Sequence, residues 1–319
     1  MKRIPAPSRS KKLPLTVIIH VHNLEGEVDA LYRQVQDAVF ERSHELVFID
    51  DGSLDGTFDR LLKIAKKNPA VRLVRMKTRF GESAALEAGM DHSAGDRILF
   101  ISGRVRPDVS RLPRLLAALD KGHDFIIGWR HPRRDSRLNR MISWIFNRMV
   151  SRMSKIRLHD IKSGIFVTRR DVLRKLSFYG DLFDFLPVLA AQQGYRVAEE
   201  RIGQLEGEFR ISRYPGEYLQ RLLDMVTVFF LTRYAKKPIH FMGFLGTLFF
   251  LAGFAIELYL LIYRILQMGP IAGRPLLILG ALLLVIGIQM ISIGLIGEMI
   301  IFTHAGEIEE YNIEEVING

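Results

Sequence analysis

The chain has 319 residues and a net charge of +10, and it contains no cysteine. The absence of cysteine excludes disulfides and thiolate metal sites, and it fits a domain that faces the cytosol. The length exceeds that of one ordinary domain and includes two long apolar runs, so we expect a soluble domain joined to a membrane anchor.

Strand and helix patterns alternate through the first third of the chain. Residues 16–23 and 46–49 are β-branched, apolar segments that predict strands, and residues 25–42 between them have helical spacing. A further unit contains predicted strands at 71–74 and 97–102. Strand, helix and strand in this order form right-handed βαβ units. The predicted fold class is therefore α/β, with a doubly wound, mostly parallel sheet.

Two adjacent carboxylates follow the second predicted strand. The segment Asp50-Asp51-Gly52-Ser53 comes directly after residues 46–49. In open α/β sheets ligands bind beyond the carboxyl ends of the strands, where an aspartate pair can accept hydrogen bonds from a base and a ribose. The alternative interpretation is a capped turn, because Asp and Ser commonly cap the helix that follows them.

Several sequence blocks together resemble the inverting family 2 glycosyltransferases, and within them the polyprenyl-phosphate sugar transferases related to dolichyl-phosphate mannose synthase. One block is the double aspartate. The others are residues 79–86 (RFGESAAL, like NFGKxAAL), residues 160–166 (DIKSGIF, like DxxSGFF) and residues 296–298 (IGE). The resemblance covers nearly the whole chain. It implies a GT-A-like, Rossmann-like domain at residues 14–210 and a nucleotide-sugar donor.

The resemblance also implies roles for individual carboxylates. Glu25, Asp50 and Asp51 would contact the ribose and base of a UDP-sugar, with guanine as the alternative base. Asp160 is the catalytic candidate. Because the phosphate of a polyprenyl-phosphate acceptor is already ionised near neutral pH, we expect Asp160 to orient the acceptor or the donor sugar rather than to remove a proton. The alternative is that Asp160 is only a turn residue before the bend that follows it.

One departure from the family concerns metal binding. The family's DxD motif should close the fourth strand, and this chain reads Ser102-Gly103-Arg104 there. A divalent cation needs charged oxygen ligands, whereas Ser102 offers a neutral hydroxyl and Arg104 repels the ion. We therefore expect no metal cofactor. Instead, Arg104 and Arg106, with Arg213 from a later loop, are predicted to bind the donor diphosphate and the lipid phosphate.

The same departure leaves two hypotheses for function. The first is an inverting glycosyltransferase that moves a sugar from a nucleotide sugar to undecaprenyl or dolichyl phosphate. The second is a catalytically inactive membrane adaptor that binds a nucleotide or a partner, with Arg104 in an ion pair with Asp108 or Asp51. We favour the enzyme because Asp50, Asp51 and Asp160 are all present. A processive polysaccharide synthase is disfavoured, since the membrane spans are few.

Basic and apolar residues are interleaved in two segments before the anchor. Residues 130–152 and residues 218–234 combine arginine with apolar residues at helical spacing, a pattern typical of amphipathic helices on an anionic leaflet. We assign residues 211–240 to juxtamembrane amphipathic helices that contact membrane lipids. Nucleic-acid binding is disfavoured, because no nucleic-acid motif accompanies the positive charge.

The carboxyl-terminal part carries two apolar segments, residues 241–266 and 276–302. Each exceeds the roughly 20 residues that cross the hydrocarbon core of a bilayer. Residues 241–302 are therefore predicted to be a two-helix transmembrane anchor. The alternative is a helical hairpin packed within a larger core.

Charged residues beside the anchor predict its topology. Arg233, Lys236 and Lys237 precede the first span, and by the positive-inside rule they place the large domain in the cytoplasm, at the inner or plasma membrane. Two spans return the chain to the same side, so a basic flexible arm at residues 1–13 and an acidic tail at residues 303–319 are expected there too. The arm lacks the apolar segment of a secretory signal. The family resemblance adds a homo-oligomer as a further expectation.

Overall fold

The computed structural model describes residues 15–103, 108–131, 148, 158–176, 180–203, 238–271 and 273–304. These residues divide into two compact units, one within Met1–Val228 and the other within Phe229–Gly319. The predicted amino-terminal arm, the predicted amphipathic segments before the anchor and the acidic tail lie almost entirely outside the described residues. Their predicted bounds therefore stay predictions.

The first unit alternates strands and helices, as the sequence predicts. Its strands are β1 (Leu15–Val21), β2 (His44–Asp50), β3 (Val71–Arg75), β4 (Arg97–Ser102), β5 (Phe125–Arg130), β6 (Ile165–Arg169) and β7 (Val197–Ile202). Its α-helices are α1 (Val28–Val39), α2 (Thr57–Lys67), α3 (Glu82–Asp91), α4 (Leu112–Asp120), α5 (Arg170–Lys175) and α6 (Leu186–Gln192), with 3-10 turns at Val109–Arg111 and Gly180–Phe185. The strands predicted from the sequence are confirmed, with small differences at their ends.

The strands form one seven-stranded sheet in the order β3-β2-β1-β4-β6-β5-β7. Strand β6 pairs antiparallel with β4 and β5, and the other neighbours pair parallel. Strands β2 and β3 extend the sheet to one side of β1, and β4 begins the other side. The strand order therefore reverses between β1 and β4, which is the switch point of a doubly wound fold. The predicted mostly parallel sheet is confirmed.

Apolar side chains cover both faces of the sheet. Every residue of β1 is buried, as expected for a parallel strand with helices on both faces. One face packs against α1 through residues such as Val35, and the other packs against α3 through residues such as Leu86. On the second face the ring of Phe166 stacks on Phe100 and Phe125, with centroid distances of 5.4 and 5.0 Å. This packing fixes the strands whose ends carry the polar residues.

Helix α1 begins later than the helical spacing predicts. It starts at Val28 rather than at residue 25. The N–H of Glu25 donates to Asp55 Oδ2, at 3.1 Å, and the N–H of Glu27 donates to Leu24 O, at 3.0 Å. The residues after β1 therefore form a turn that contacts the loop after β2. This long-range contact overrides the local helical pattern.

The described part of the second unit contains a pair of helices, α7 (Pro238–Ile265) and α8 (Pro275–His304). A Cβ added to Gly246 would lie 2.7 Å from Gly287 O, and one added to Gly253 would lie 2.7 Å from Gly280 O. Glycine therefore allows the two backbones to approach closely and in antiparallel order. Both helices are long and apolar enough to cross a membrane. The two predicted apolar spans are confirmed as helices, each slightly longer than predicted at its amino end.

Candidate functional site

The carboxyl ends of β1, β2 and β4 meet at the switch point of the sheet. His20 on β1 pairs in register with Ile49 on β2 and with Ser102 on β4. The segments that follow these strands consequently lie side by side. Open α/β sheets bind ligands in this crevice. The candidate site is thus built from the residues at and just beyond these strand ends.

Asp51 is completely buried, and both of its carboxylate oxygens are hydrogen-bonded. Oδ1 accepts the N–H of Phe80, at 2.6 Å, and Oδ2 accepts from His20 Nε2 and from the N–H of Gly81, each at 3.0 Å. An ionised carboxylate only accepts hydrogen bonds, so His20 carries its proton on Nε2. Asp51 therefore ties the ends of β1 and β2 to the loop that precedes α3.

These hydrogen bonds also set the charge of Asp51. Burial raises the pKa of the carboxyl group, but the hydrogen bonds from His20 and from the N–H groups of Phe80 and Gly81 outweigh burial and hold the pKa below its ordinary value of 3.8. Asp51 is consequently ionised near neutral pH. Its acceptors are already engaged by the protein, which suits a residue that shapes the site.

Asp50 is as buried as Asp51, but its carboxylate accepts fewer hydrogen bonds. Its Oδ1 accepts the N–H of Ser53, at 3.3 Å. Its Oδ2 has no hydrogen-bond partner among the described residues, and it lies 3.7 Å from Nε of Arg75, whose side chain is 54% exposed. A buried carboxylate oxygen without a hydrogen bond is costly, so Asp50 keeps acceptor capacity that a ligand can use.

Glu25 is brought to the same loop as the aspartate pair. Its carboxylate accepts the N–H of Gly56, at 3.2 Å, and lies 3.5 Å from Arg60 Nε, with 47% of the side chain exposed. In the same loop, Asp55 Oδ1 accepts the N–H of Thr57, the first residue of α2, at 3.0 Å. Asp50 Oδ1 accepts the N–H of Ser53 within its own turn, so the turn-forming role that was the alternative for the aspartate pair applies to one oxygen of Asp50.

Gly52 allows the aspartate turn to approach the loop before α3. Its φ is +65°, and a Cβ at this position would lie 2.6 Å from the carbonyl carbon of Thr78. A side chain would therefore meet backbone and would also strain the left-handed conformation. This close approach is what lets Asp51 reach the N–H groups of the neighbouring loop.

The end of β4 places a hydroxyl against a carboxylate. Ser102 is completely buried, and its Oγ donates to Oε1 of Glu82, the first residue of α3. The N–H of Ser102 donates to Gly164 O, and the N–H of Gly103 donates to His20 O, both at 2.8 Å. The turn after β4 is therefore fixed against both β1 and the segment before β6.

The arginines predicted to bind phosphate are Arg104, Arg106 and Arg213, and all three lie outside the described residues. Their proposed roles, and the alternative ion pair between Arg104 and a neighbouring aspartate, stay predictions. Asp51, one of those suggested partners, is already bonded to His20 and to backbone N–H groups.

The described residues do not fit a metal site built by the protein. Within the described ranges, no group of three or more His, Cys, Asp or Glu side chains could hold an ion. At the end of β4 the donors are one carboxylate, from Glu82, and one neutral hydroxyl, from Ser102. A hard divalent cation prefers several charged oxygen ligands.

Asp160 is buried in a bidentate ion pair with Arg130, the last residue of β5. Arg130 Nε donates to Oδ2, at 2.6 Å, and its Nη2 donates to Oδ1, at 2.9 Å. Arg130 Nη2 also donates to Lys162 O, at 3.0 Å. Paired guanidinium and carboxylate groups of this kind fix geometry as well as charge. The pair ties the segment before β6 to the end of β5. In the sheet, β4 and β6 lie between β5 and β1.

A cluster of aromatic and charged side chains also holds the segment that contains Asp160. The ring of His159 stacks on Trp129 at a centroid distance of 4.3 Å, and the Arg201 guanidinium lies 4.6 Å from the Trp129 ring centroid. Glu199 Oε1 accepts the N–H of Asp160, at 3.0 Å, and Glu199 Oε2 lies 2.8 Å from His159 Nδ1. The position of Asp160 is therefore fixed from its backbone and from its side chain.

Sequence reasoning missed three residues of these networks: His20, Glu82 and Arg130. Each carried a signal in the sequence. His20 stands where the related family has proline, and Glu82 stands where its NFGKxAAL block has lysine. Arg130 was interpreted only as part of a basic segment. The spatial partners of these residues are distant in sequence, so the sequence pattern did not reveal their pairing.

Solved structures with a similar fold include glucosyl-3-phosphoglycerate synthase from Mycobacterium tuberculosis. Its complex with Mg²⁺ and UDP aligns with a TM-score of 0.53 and 18% identity, over 69% of this chain and 79% of that chain. Its complex with Mn²⁺, UDP and phosphoglyceric acid aligns with a TM-score of 0.52 and 19% identity, over 69% of this chain and 78% of that chain. At this identity the likeness shows the fold alone, and it confirms the GT-A-like architecture.

Relatives in sequence match both the sheet unit and the helix pair. The chain is 30% identical to dodecaprenyl-phosphate galacturonate synthase of Rhizobium johnstonii over 302 residues, which are 92% of this chain and 89% of that protein. It is 29% identical to undecaprenyl-phosphate 4-deoxy-4-formamido-L-arabinose transferase of Pseudomonas aeruginosa over 289 residues, 89% of this chain and 84% of that protein. The pattern of glycosyl transferase family 2 matches residues 16–177. The chain therefore belongs to glycosyl transferase family 2.

Proposed function

We propose that this protein is a membrane-bound inverting glycosyltransferase that moves a sugar from a UDP-sugar to a polyprenyl phosphate. The observation that carries the proposal is the similarity to named polyprenyl-phosphate sugar transferases over 92% of the chain, including the apolar helix pair. An acceptor with a long apolar tail stays in the bilayer, so a transferase for it needs a membrane anchor beside a nucleotide-binding sheet. This chain combines both parts.

The chemistry is a displacement at the anomeric carbon of the donor sugar. A phosphate oxygen of the lipid forms the new bond to that carbon, the bond from the carbon to the donor diphosphate breaks, and the nucleoside diphosphate leaves with the electron pair. The nucleophile is already ionised, so the protein contributes positioning, desolvation and charge balance. The switch-point crevice is where the donor would lie, with Asp50 and Glu25 as acceptors for the nucleotide.

We further propose that guanidinium groups rather than a bound cation balance the departing diphosphate. Among the described residues, no group of three His, Cys, Asp or Glu side chains could hold a metal ion. Arg104 and Arg106 follow Ser102 closely in the sequence, and Arg213 comes later in the chain; these are the arginines predicted to bind phosphate. Arginine is permanently charged and binds phosphate through two parallel hydrogen bonds. This arrangement would supply fixed positive charge where negative charge develops.

Asp160 has a positioning role in this proposal. Its two oxygens are held by Arg130, and its N–H is held by Glu199, so it is unsuited to removing a proton. The pair would hold the segment from Asp160 to Gly164 against the end of β4, where the Gly164 carbonyl accepts the N–H of Ser102, at 2.8 Å.

The topology belongs to the same proposal. With the large unit and both termini in the cytoplasm of a cell with an inner or plasma membrane, the donor would meet the acceptor phosphate at the cytoplasmic leaflet. The proposal also includes a homo-oligomer, which is supported by the family resemblance alone.

The second candidate is a catalytically inactive membrane adaptor that binds a nucleotide or a partner. It is favoured by the neutral Ser102 at the end of β4 and by the complete internal bonding of Asp51 and Asp160. A structural role alone would explain those two carboxylates, whereas the unbonded Oδ2 of Asp50 favours a ligand.

The test is transfer of radiolabelled sugar to polyprenyl phosphate by the purified full-length chain in lipid nanodiscs, with a panel of UDP-sugars and with or without EDTA. Transfer that resists EDTA and falls in Arg104→Ala supports the proposal. Transfer that EDTA abolishes would overturn its metal-free part. Binding of nucleotide without transfer from any donor would support the adaptor instead.

A further inference from the structure

Arg75 brings a positive charge next to the unbonded oxygen of Asp50. The two residues end β3 and β2 and pair with each other in register. Asp50 is completely buried, and its Oδ2 has no hydrogen-bond partner among the described residues. Nε of Arg75 lies 3.7 Å from this oxygen, which is too long for a hydrogen bond. The guanidinium charge therefore balances the carboxylate without using its acceptor position.

The ring of Phe58, on α2, supports the guanidinium of Arg75. The central carbon of the guanidinium lies 4.2 Å from the ring centroid, the geometry of a cation–π contact. The Arg75 side chain is half-exposed, and within the described ranges its N–H groups donate no hydrogen bond to the protein. A guanidinium carries five N–H donors in a fixed plane. Arg75 therefore presents oriented donors to solvent beside the oriented acceptor of Asp50.

The order of the strands places this pair to one side of the switch point. The pair ends β3 and β2, whereas the switch point lies between β1 and β4. The ends of β3 and β4 are three strand spacings apart, about 15 Å. A nucleotide carries its diphosphate and its base on opposite sides of the ribose. With the diphosphate beside the end of β4, where Arg104 and Arg106 follow in the sequence, the base extends towards β2 and β3.

A donor beside an acceptor matches some bases and rejects others. Uracil carries an N–H at position 3 and a carbonyl oxygen at position 4, so it complements a carboxylate next to a guanidinium. Cytosine carries an acceptor nitrogen and an amino group at these positions, and each would face a like group. Guanine has the same order as uracil, and adenine has the same order as cytosine. The pair therefore suits bases with a carbonyl group rather than an amino group at this edge.

We propose that Arg75 is a specificity-determining residue that selects the base of the donor nucleotide together with Asp50. Asp50 Oδ2 accepts the N–H at position 3 of uracil, and the Arg75 guanidinium donates to the oxygen at position 4, which points away from the ribose and towards β3. This inference rests on the proposed function, because it takes a nucleotide sugar as the occupant of the crevice. Since no hydrogen bond joins Arg75 Nε to Asp50, the guanidinium can shift to admit the base without losing one.

The test compares Arg75→Met with Arg33→Met in the full-length chain in lipid nanodiscs. Arg33 is an exposed arginine of α1 and serves as the matched control. Calorimetry would measure the affinities for UDP and CDP. For Arg75→Met we expect the affinity for UDP to fall about 10- to 100-fold, the factor for one hydrogen bond to a charged group. The weaker affinity for CDP should stay unchanged or rise, and Arg33→Met should match the unmodified protein.

Two further measurements separate base recognition from charge balance. In 4-thio-UDP a sulfur atom, which is a weaker acceptor, replaces the oxygen at position 4. The unmodified protein should bind this probe less tightly than UDP, and the difference should disappear in Arg75→Met. Arg75→Lys keeps a positive charge beside Asp50 but loses the planar set of donors. Its unfolding midpoint should match that of the unmodified protein, and its affinity for UDP should lie between those of the unmodified protein and Arg75→Met.

The proposal would be overturned by either of two results. One is equal affinity of the unmodified protein for UDP and CDP. The other is an equal fractional loss of both affinities in Arg75→Met, which would leave Arg75 only as the charge partner of Asp50. These binding measurements need no sugar transfer. Binding with the expected order of affinities, but without transfer from any donor, would therefore support the role of Arg75 while overturning the proposed enzyme activity.

Discussion

The end of β2 and the end of β5 each hold a buried carboxylate, but by different means. At β2, Asp51 is held by a histidine and by two backbone N–H groups. At β5, Asp160 is held by the guanidinium of Arg130 in a closed ion pair. The adjacent Asp50 keeps an unbonded oxygen at the β2 end. The comparison shows that Asp50, Asp51 and Asp160, which are equally evident in the sequence, differ in how completely the folded protein bonds them.

The largest expected effect comes from breaking the β5 pair. In Arg130→Ala, the Asp160 carboxylate stays buried without its partner, and loss of one partner of a buried ion pair costs about 3–5 kcal/mol. Thermal unfolding of the full-length chain in lipid nanodiscs would measure the change. The control is Arg196→Ala, whose side chain is 65% exposed and pairs with Asp124 at 3.7 Å. Equal unfolding midpoints for the two variants would contradict the structural role of Asp160.

The β2 end should be less sensitive because two of the three donors to Asp51 are backbone N–H groups rather than a guanidinium. Asp51→Ala leaves the His20 ring and the N–H groups of Phe80 and Gly81 without their acceptor, which we expect to cost about 2–3 kcal/mol. Asp51→Asn keeps one acceptor oxygen, so we expect it to lower the unfolding free energy by less than Asp51→Ala does. Thermal unfolding of both variants, measured as for Arg130→Ala, would check that the loss of stability is larger for Asp51→Ala than for Asp51→Asn. An Asp51→Ala variant as stable as the unmodified protein would show that the network does not hold the strand ends together.

Acid should reduce the contribution of Asp51 to the stability of the folded chain. The pKa of Asp51 is lower in the folded chain than its ordinary value of 3.8, so the unfolded chain takes up the proton first as the pH falls. The stabilisation by Asp51 is therefore complete above about pH 4 and is lost as the pH falls through the lower pKa of the folded state. The difference in unfolding midpoint between the unmodified protein and Asp51→Asn should narrow below pH 4. A constant difference through that range would contradict this expectation.

Asp50 should give the smallest change in stability and a clear change in binding. Its Oδ2 makes no hydrogen bond within the described residues, so Asp50→Asn should alter the unfolding free energy by less than about 1 kcal/mol. If Asp50 accepts a hydrogen bond from the nucleotide, the same variant should lower UDP affinity about tenfold, as expected for a loss of roughly 1.4 kcal/mol. The exposed Asp59→Asn on α2 is the control. Unchanged UDP affinity in Asp50→Asn would remove Asp50 from the nucleotide site.

Part of the candidate site was predictable from local pattern. The strands that carry the site and the two apolar helices follow from runs of apolar residues, since burial of such runs dominates their free energy. The clustering of Glu25, Asp50 and Asp51 also follows from the rule that parallel strands end at one edge. The pairing of Arg130 with Asp160 and of Glu82 with Ser102 did not follow, because each pair joins segments that are far apart in sequence.

The α/β class, the family and the two long apolar helices follow from the amino-acid sequence, because these depend on periodicity and on motifs that are local in the chain. The order of the strands, the antiparallel insertion of β6 and the hydrogen bonds of each carboxylate follow only from the folded chain. Those features depend on which side chains meet in space. A carboxylate becomes a structural group or a ligand-binding group according to the donors around it, and the fold supplies those donors from distant parts of the chain.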